Sequence, residues 1–399
     1  MKLQTVALGA VFINFFGFYI VRFYVGFSGL PLISPFDWNK YSAQSIVEMV
    51  LVFFCCVAIT FRLSKNKFEL DRCAEYRYRK GYFYWVCSIL FFALGFYYLI
   101  SSNYSLDMSS RGVGQFQRST MSSLSRVIIL ALPIFVFYRV AYARFASAKV
   151  LSLFFVSSIT IFSLSNGDRR LLLYFLLSYI FILAREVNRR VGNKPSTGGL
   201  KRFILVSCGG AVLIAAYYFR SGSAAFPGYL VLQSTLGALG VGAILAEVKS
   251  IVDVNTGYLM GQSFLTYAWT LFVPSFFLYL FGGDEFVFRS AYEFNKIFND
   301  NPDMGYDFMM LADFYWNFGY AGYFLFVVFY FFVVRYLARW GRGGDDFKFL
   351  TSVLLLVFFV AGQRSDFGLF LKSFVYCEVL LGLLFLFFAK KMRGQNDID

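Results

Sequence analysis

Long apolar runs separated by short polar turns dominate the pattern along this chain. Runs that approach the roughly 20 residues an α-helix needs to cross a hydrocarbon core fall at 4–27, 42–61, 82–100, 124–143, 149–165, 171–184, 203–219, 319–337, 349–362 and 367–389. One long segment, 220–318, interrupts the series and mixes Gly- and Ser-rich apolar stretches with an acidic stretch. Two weaker runs inside it, near 231–248 and 258–281, would raise the crossings from ten to twelve. Ten is the preferred reading, because only Lys249 would mark the turn between them and the first run is Gly-rich. The pattern therefore predicts an all-α polytopic membrane protein of about 10 to 12 transmembrane helices. Its expected parts are amino-terminal helices at 1–219, a large outer loop with interfacial or re-entrant short helices at 220–318, and carboxy-terminal helices at 319–399.

Composition agrees with a bilayer as the solvent. The 399 residues are 59% hydrophobic and 15% charged, with 54 Phe and 28 Tyr, more apolar surface than a soluble fold of this length could cover. The first run follows a Lys, as in a secretory signal, but no small-residue cleavage site follows it, so it is expected to be retained as a span. A net charge of +14 raises the question of nucleic acid. The basic residues, however, sit in short clusters between spans: 62–80, the Arg139, Arg144 and Lys149 turn, 185–202, 335–348 and the KKMR tail. That distribution is the positive-inside signature and predicts no nucleic-acid partner, with both termini in the cytoplasm.

The six Cys show no C-x-x-C spacing, which suggests neither a disulfide framework nor a zinc site. The chain has no His, which excludes imidazole as base, nucleophile or metal ligand.

The stretch SLSNGDRRLLLY sets Asp168, Arg169 and Arg170 between two short runs. Residues 149–165 and 171–184 extend only about 25 Å and about 21 Å, against a core of about 30 Å. The turn between them is thus expected below the outer membrane surface, where bent backbone and charge are tolerated if they line a protein or water-filled cavity. AGQRSDFGLF places Arg364 and Asp366 at a second tight outer turn, YYFRSGS puts Arg220 at a span mouth, and SSRGVGQFQRST supplies Arg111 and Arg118. Arginine grips phosphate oxygens bidentately, so its repetition at outer turns points to a phosphate-bearing ligand.

The outer segment also carries Asp284, Glu285, Glu293, Asp300, Asp303, Asp307 and Asp313, with Tyr292, Tyr306, Tyr315 and Trp316 as flat faces for sugar rings. Asp313 stands out because DFYWNFG adjoins the start of a span. Glu48 and Glu378 lie within spans and could pair with a span arginine or with Lys372.

GYDFMMLADFYWNFGYAGYF (305–324) resembles the carboxy-terminal signature of Wzy-type O-antigen and oligosaccharide repeat-unit polymerases, an acid followed by aromatic-x-Asn-Phe-Gly at the start of a late span. Asp313, Tyr315, Asn317, Phe318 and Gly319 fill those positions. The upstream TGYLMGQSFLTYAWTLFVPSFF resembles the family's Gly-Tyr or Gly-x-Ser run, SNGDRR its short Gly-x-Arg turn, and Arg220 its arginine after the next span. The likeness covers about the last 240 residues. An Asp stands where Glu is more usual, and the outer loops show no arginine-x10-glycine pair of the kind described for some members.

The resemblance implies a bacterial inner-membrane glycosyltransferase of GT-C-like fold that acts on the periplasmic face. Its substrate is undecaprenyl-pyrophosphate-linked oligosaccharide within a lipid bilayer, and it admits a chain-length regulator as partner. No cofactor and no metal are implied. In that frame Asp313 is the expected catalytic carboxylate. Arg118, Asp168, Arg169, Arg170, Arg220, Arg364, Asp366, Tyr315 and Asn317 are the expected substrate-binding residues. Two rivals remain. An O-antigen ligase relies on an outer-loop histidine that this chain lacks. A lipid-linked oligosaccharide flippase or transporter predicts internal repeats and mid-membrane charges, neither of which is evident.

Overall fold

The computed structural model describes residues 3–28, 38–65, 76–78, 177–178, 180–182, 185, 241–272, 288–298, 308–341 and 345–391. They form the helices α1 (Leu3–Ser28), α2 (Ser42–Lys65), α3 (Ala243–Ile251, continued by a π-turn at Val252–Thr256), α4 (Gln262–Phe272), α5 (Ser290–Phe298), α6 (Met310–Phe318), α7 (Tyr320–Trp340), α8 (Asp346–Gly362) and α9 (Phe367–Phe388). One pair of three-residue strands, β1 (Tyr76–Tyr78) and β2 (Ala389–Lys391), joins antiparallel with Arg77 opposite Lys390.

Among the described residues, four helices are long and apolar enough to cross a membrane, at Leu3–Tyr24, Ser42–Lys65, Tyr320–Trp340 and Phe367–Phe387. They coincide with four of the runs expected from the sequence. The run at 349–362 forms α8, of 17 residues. The expected runs 82–100, 124–143, 149–165 and 203–219 lie outside the described residues, as does most of 171–184. The described part of 231–248 belongs to the nine-residue α3, about 14 Å long.

These helices are apolar on outer as well as inner faces. On α1, Ala7, Val11 and Phe15 are fully buried while Phe12, Ile20 and Phe23 are exposed. A helix hydrophobic all round suits a bilayer rather than water.

The chain divides into two compact units, each described by itself. Unit 1 comprises Met1–Leu70, Phe226–Arg342 and Phe358–Phe374; unit 2 comprises Asp71–Ala225, Gly343–Val357 and Val375–Asp399.

In unit 1, α1 runs antiparallel to α7, since Leu3 approaches Gly341 while Phe15 packs on Phe326. Helix α2 runs parallel to α7: Gln44 bonds Tyr320, Glu48 bonds Tyr323 and Thr60 bonds Tyr330. The end of α1 and the starts of α2 and α7 therefore share one end of the unit, and α3 to α6 cluster there. The opposite end carries Arg62, Lys65, Arg335 and Arg339. Between the two ends lies a core of rings, with Phe314 meeting Phe264, Phe326, Phe329 and Phe367 at centroid separations of 5.0 to 6.2 Å.

In unit 2, Asp345 caps α8 by accepting the N–H groups of Phe347 and Lys348 at 2.9 and 3.2 Å. The Arg185 guanidinium pairs with Asp346 at 3.3 Å and lies 4.1 Å over the Phe349 ring.

One backbone conformation and one close approach fix how α6 leads into α7. Gly319 adopts φ +59° and ψ −140°, backbone that side chains disfavour, and so α7 starts in a new direction. The Tyr258 ring fills the space where a Cβ on Gly319 would stand, at 3.2 Å. Gly319→Ala should therefore lower stability by about 1–3 kcal/mol. A thermal unfolding curve of the purified protein in detergent that is unmoved by Gly319→Ala would contradict this.

Candidate functional site

The end of unit 1 that gathers α3 to α6 also gathers its polar side chains. Helix α6 presents Asp313 and Asn317 on one face, four residues apart, while Tyr315 points to the opposite face.

Asp313 is the centre of the first cluster and is only 1% exposed. Its Oδ1 accepts from Ser290 Oγ at 2.6 Å, from Asn317 Nδ2 at 2.9 Å and from Ser263 Oγ at 3.4 Å. Its Oδ2 accepts the backbone N–H of Phe367 at 2.8 Å. The Ser263 hydroxyl stands closer to Asn317 Oδ1, at 3.1 Å. One carboxyl thus ties α4, α5 and α6 to the first residue of α9.

Asp366 sits beside this centre and is fully buried. Its Oδ1 accepts from Tyr267 Oη at 2.9 Å and from the Leu369 N–H at 2.8 Å, which caps α9. Its Oδ2 faces the Arg289 guanidinium, with Nη2 at 3.6 Å. Arg289 Nε also donates to Tyr267 Oη at 2.9 Å, yet the arginine side chain stays 41% exposed. Consecutive residues are therefore clamped by neighbouring acids: Arg289 by Asp366 and Ser290 by Asp313.

The second cluster lies on the Tyr315 face of α6. Glu48 accepts from Lys249 Nζ and Tyr323 Oη on one oxygen, and from Gln44 Nε2 at 2.9 Å on the other. Lys249 is 3% exposed and lies 5.3 Å from the Tyr315 ring centroid. The expected partners of Glu48 were a span arginine or Lys372. Its actual partner is Lys249 from α3, because the start of α2 lies against that helix rather than against α9.

The structure separates the expected site residues. Asp313, Asn317 and Asp366 are brought together in the first cluster, Tyr315 lies in the second, and all four are buried. Tyr315 and Trp316, expected as open faces for sugar, are 5% and 1% exposed, because α6 packs on all sides. Tyr292 is exposed. Arg364 is half-buried in the turn that ends in Asp366. Arg111, Arg118, Asp168, Arg169, Arg170, Arg220 and Tyr306 lie outside the described residues.

Arg289, Tyr267, Ser263 and Ser290 are participants that the sequence reading passed over. Arg289 carried one signal, being the single arginine of the acidic stretch GGDEFVFRSAYEFNKIFNDNPD. Among the described residues no three Asp, Glu or Cys side chains come together as a metal ion would need.

The chain matches no family model, no curated protein and no solved structure. The function has to be argued from the site itself.

Burial, and then the nearby charge of Asp366, push the Asp313 carboxyl up to about 7, against the opposing hydrogen bonds from Ser290, the Phe367 N–H and Ser263. A proton held there has the Ser290 or Ser263 hydroxyl as acceptor. The native protein thus keeps a proton that the unfolded chain releases near 3.8, and stability drawn from this group falls as pH rises from about 4 to about 7. Asp313→Asn should lower stability by about 1–3 kcal/mol, since an amide cannot accept on both sides. It should also flatten the decline of the melting midpoint across that pH window. Parallel pH profiles for the two proteins would exclude the titration.

Proposed function

We propose that this chain is a metal-independent, membrane-embedded glycosyltransferase that polymerises lipid-linked oligosaccharide repeat units. The observation that carries this reading is Arg289. Its guanidinium is held by Tyr267 and the buried Asp366, while the side chain as a whole stays 41% exposed. A guanidinium held in one orientation at 41% exposure suits the oxygens of a phosphate ester.

In the reaction, an acceptor sugar hydroxyl oxygen forms a bond to the anomeric carbon of the donor glycan. The bond from that carbon to the phosphate oxygen breaks, the hydroxyl proton is released, and undecaprenyl pyrophosphate leaves with the electron pair. Negative charge grows on the departing phosphate, where Arg289 would meet it, and Arg364, two residues before Asp366 in the chain, is proposed as a second partner. Arg118, Arg169, Arg170 and Arg220, which lie outside the described residues, keep their proposed role as substrate-binding residues. Asp313 enters this scheme as a positioning residue, because both its oxygens are engaged in holding Ser290 beside Arg289.

The placement of the site supports an outer-face reading. The helix ends remote from Asp313 carry Arg62, Lys65, Arg335 and Arg339, the bias expected of cytoplasmic loops. We take the inner membrane, with the site facing the periplasm, as part of the proposal.

Deleting the gene in its host and separating the surface polysaccharide by gel tests the reading. A polymerase deletion leaves single capped repeat units in place of a ladder. Complete absence of repeat units would point to a flippase or ligase, and an intact ladder would remove the proposal. Arg289→Lys keeps a cation beside Asp366 but loses the planar fork, and should reduce polymer formation by about 10²–10³-fold while protein remains in the membrane.

A further inference from the structure

The reaction above uses only one face of α6. On the other face, Gln44 Nε2 bridges Glu48 Oε1 at 2.9 Å and Tyr320 Oη at 3.0 Å, and Gln44 itself is exposed. The Tyr320 ring is 59% exposed and the Tyr258 ring 40%. Neither is loose. Tyr320 stands edge-on to Tyr315 at 5.8 Å and to Tyr323 at 6.0 Å, and Tyr258 stands edge-on to Tyr315 at 5.8 Å. Behind them the buried Lys249 pairs with Glu48.

We propose that Gln44, Glu48, Tyr258 and Tyr320 form a glycan subsite that holds sugar residues of the lipid-linked chain. This rests on the glycan-transfer reading given above and adds to it where the carbohydrate lies.

A pyranose offers an apolar C–H face and adjacent hydroxyl groups. The open rings of Tyr258 and Tyr320 match the first, and the amide and carboxylate of Gln44 and Glu48 match the second. Sites of this kind combine apolar walls with a few fixed polar groups. A tyrosine serving only as an anchor at the membrane interface needs an exposed ring and nothing more. Here the ring's hydroxyl belongs to a chain of bonds that runs through Gln44 and Glu48 to a lysine 3% exposed. Removing that lysine and carboxylate from water carries a desolvation cost that an anchor would not require.

Residues 313 and 315 stand about 200° apart around α6, so the proposed subsite and the Asp313 cluster lie on opposite sides of that helix.

Two variants in the full-length protein, expressed in a host deleted for the gene, test the proposal. Gln44→Ala and Tyr320→Ala should each shift the polysaccharide ladder to shorter chains, and Tyr320→Trp, which keeps a ring face, should restore it. Oligosaccharide released from the host polysaccharide by mild acid should bind the purified protein about five- to tenfold more weakly in both alanine variants, the loss of one hydrogen bond or ring contact. Asp253→Asn, at an exposed carboxylate that pairs with Lys40, serves as the control and should change neither readout.

A wild-type ladder with unchanged oligosaccharide binding overturns the subsite and leaves Tyr320 as an interfacial anchor. Loss of all polymer in either variant, with protein present in the membrane, also overturns it, since that marks a group needed for bond formation. Failure of the polymerase reading is seen separately, as an intact ladder in the deletion strain itself. Should Tyr320→Ala not accumulate, the exposed Gln44→Ala decides.

Discussion

A carboxyl group removed from water has to be surrounded by donors, and Asp313 is surrounded by donors from four of the segments that shape this end of the unit. Ser263 comes from α4, Ser290 from the start of α5, Asn317 from α6 itself and the Phe367 N–H from the start of α9. No two of these segments are consecutive partners in a sheet or hairpin. What holds them together is the cost of leaving a buried oxygen unmatched, which exceeds the worth of a single hydrogen bond made in water. Beneath the carboxyl, Phe314 places its ring among Phe264, Phe326, Phe329 and Phe367, so the same helix that satisfies the polar centre also closes the apolar one.

The rest of the candidate site follows from that clamp. Fixing Ser290 fixes Arg289, and fixing the Phe367 N–H fixes Asp366, so the arginine and its counter-ion meet because their neighbours are both held by Asp313. Asp366 Oδ1 is met by Tyr267 and its own helix cap, while Oδ2 is left to the charge of the guanidinium, 3.6 Å away and beyond hydrogen-bond distance. The outcome is a cation fixed by interior groups and presented to the exterior, which is a different thing from a flexible surface arginine. On the far face of α6 the same logic operates with opposite polarity. There a buried lysine is neutralised by Glu48 and roofed by tyrosine rings, and the polar chain surfaces at Gln44 and Tyr320.

Much of the architecture was legible in the order of residues. Hydropathy located α1, α2, α7 and α9 because a bilayer tolerates no long polar interruption in a spanning helix. DFYWNFG was legible as a special segment because an acid and an amide four residues apart beside an apolar run have no business facing lipid. Sequence also named Asp366 and Arg364, through charges at a tight turn. Reading was poorer for the rings. Tyr315 and Trp316 resemble an exposed aromatic ledge in one dimension, but burial is a property of neighbours, and theirs come from α3, the turn at Tyr258 and Leu259, Phe308 and α7. Among the rings left open is Tyr320, which the run 319–337 places at the start of a span.

By itself, the sequence determined that this is a helical membrane protein, that histidine chemistry is absent, and that acid and arginine gather around a few turns. These are properties of composition and local spacing, and local physics decides them. Tertiary structure alone decided that Arg289, in a stretch that reads as acidic loop, meets Asp366 more than seventy residues later, and that Lys249 meets Glu48 two hundred residues earlier. Pairing of buried charges depends on which backbone segments pack together. That packing is chosen by the joint satisfaction of many donors and rings, which no single stretch of chain encodes.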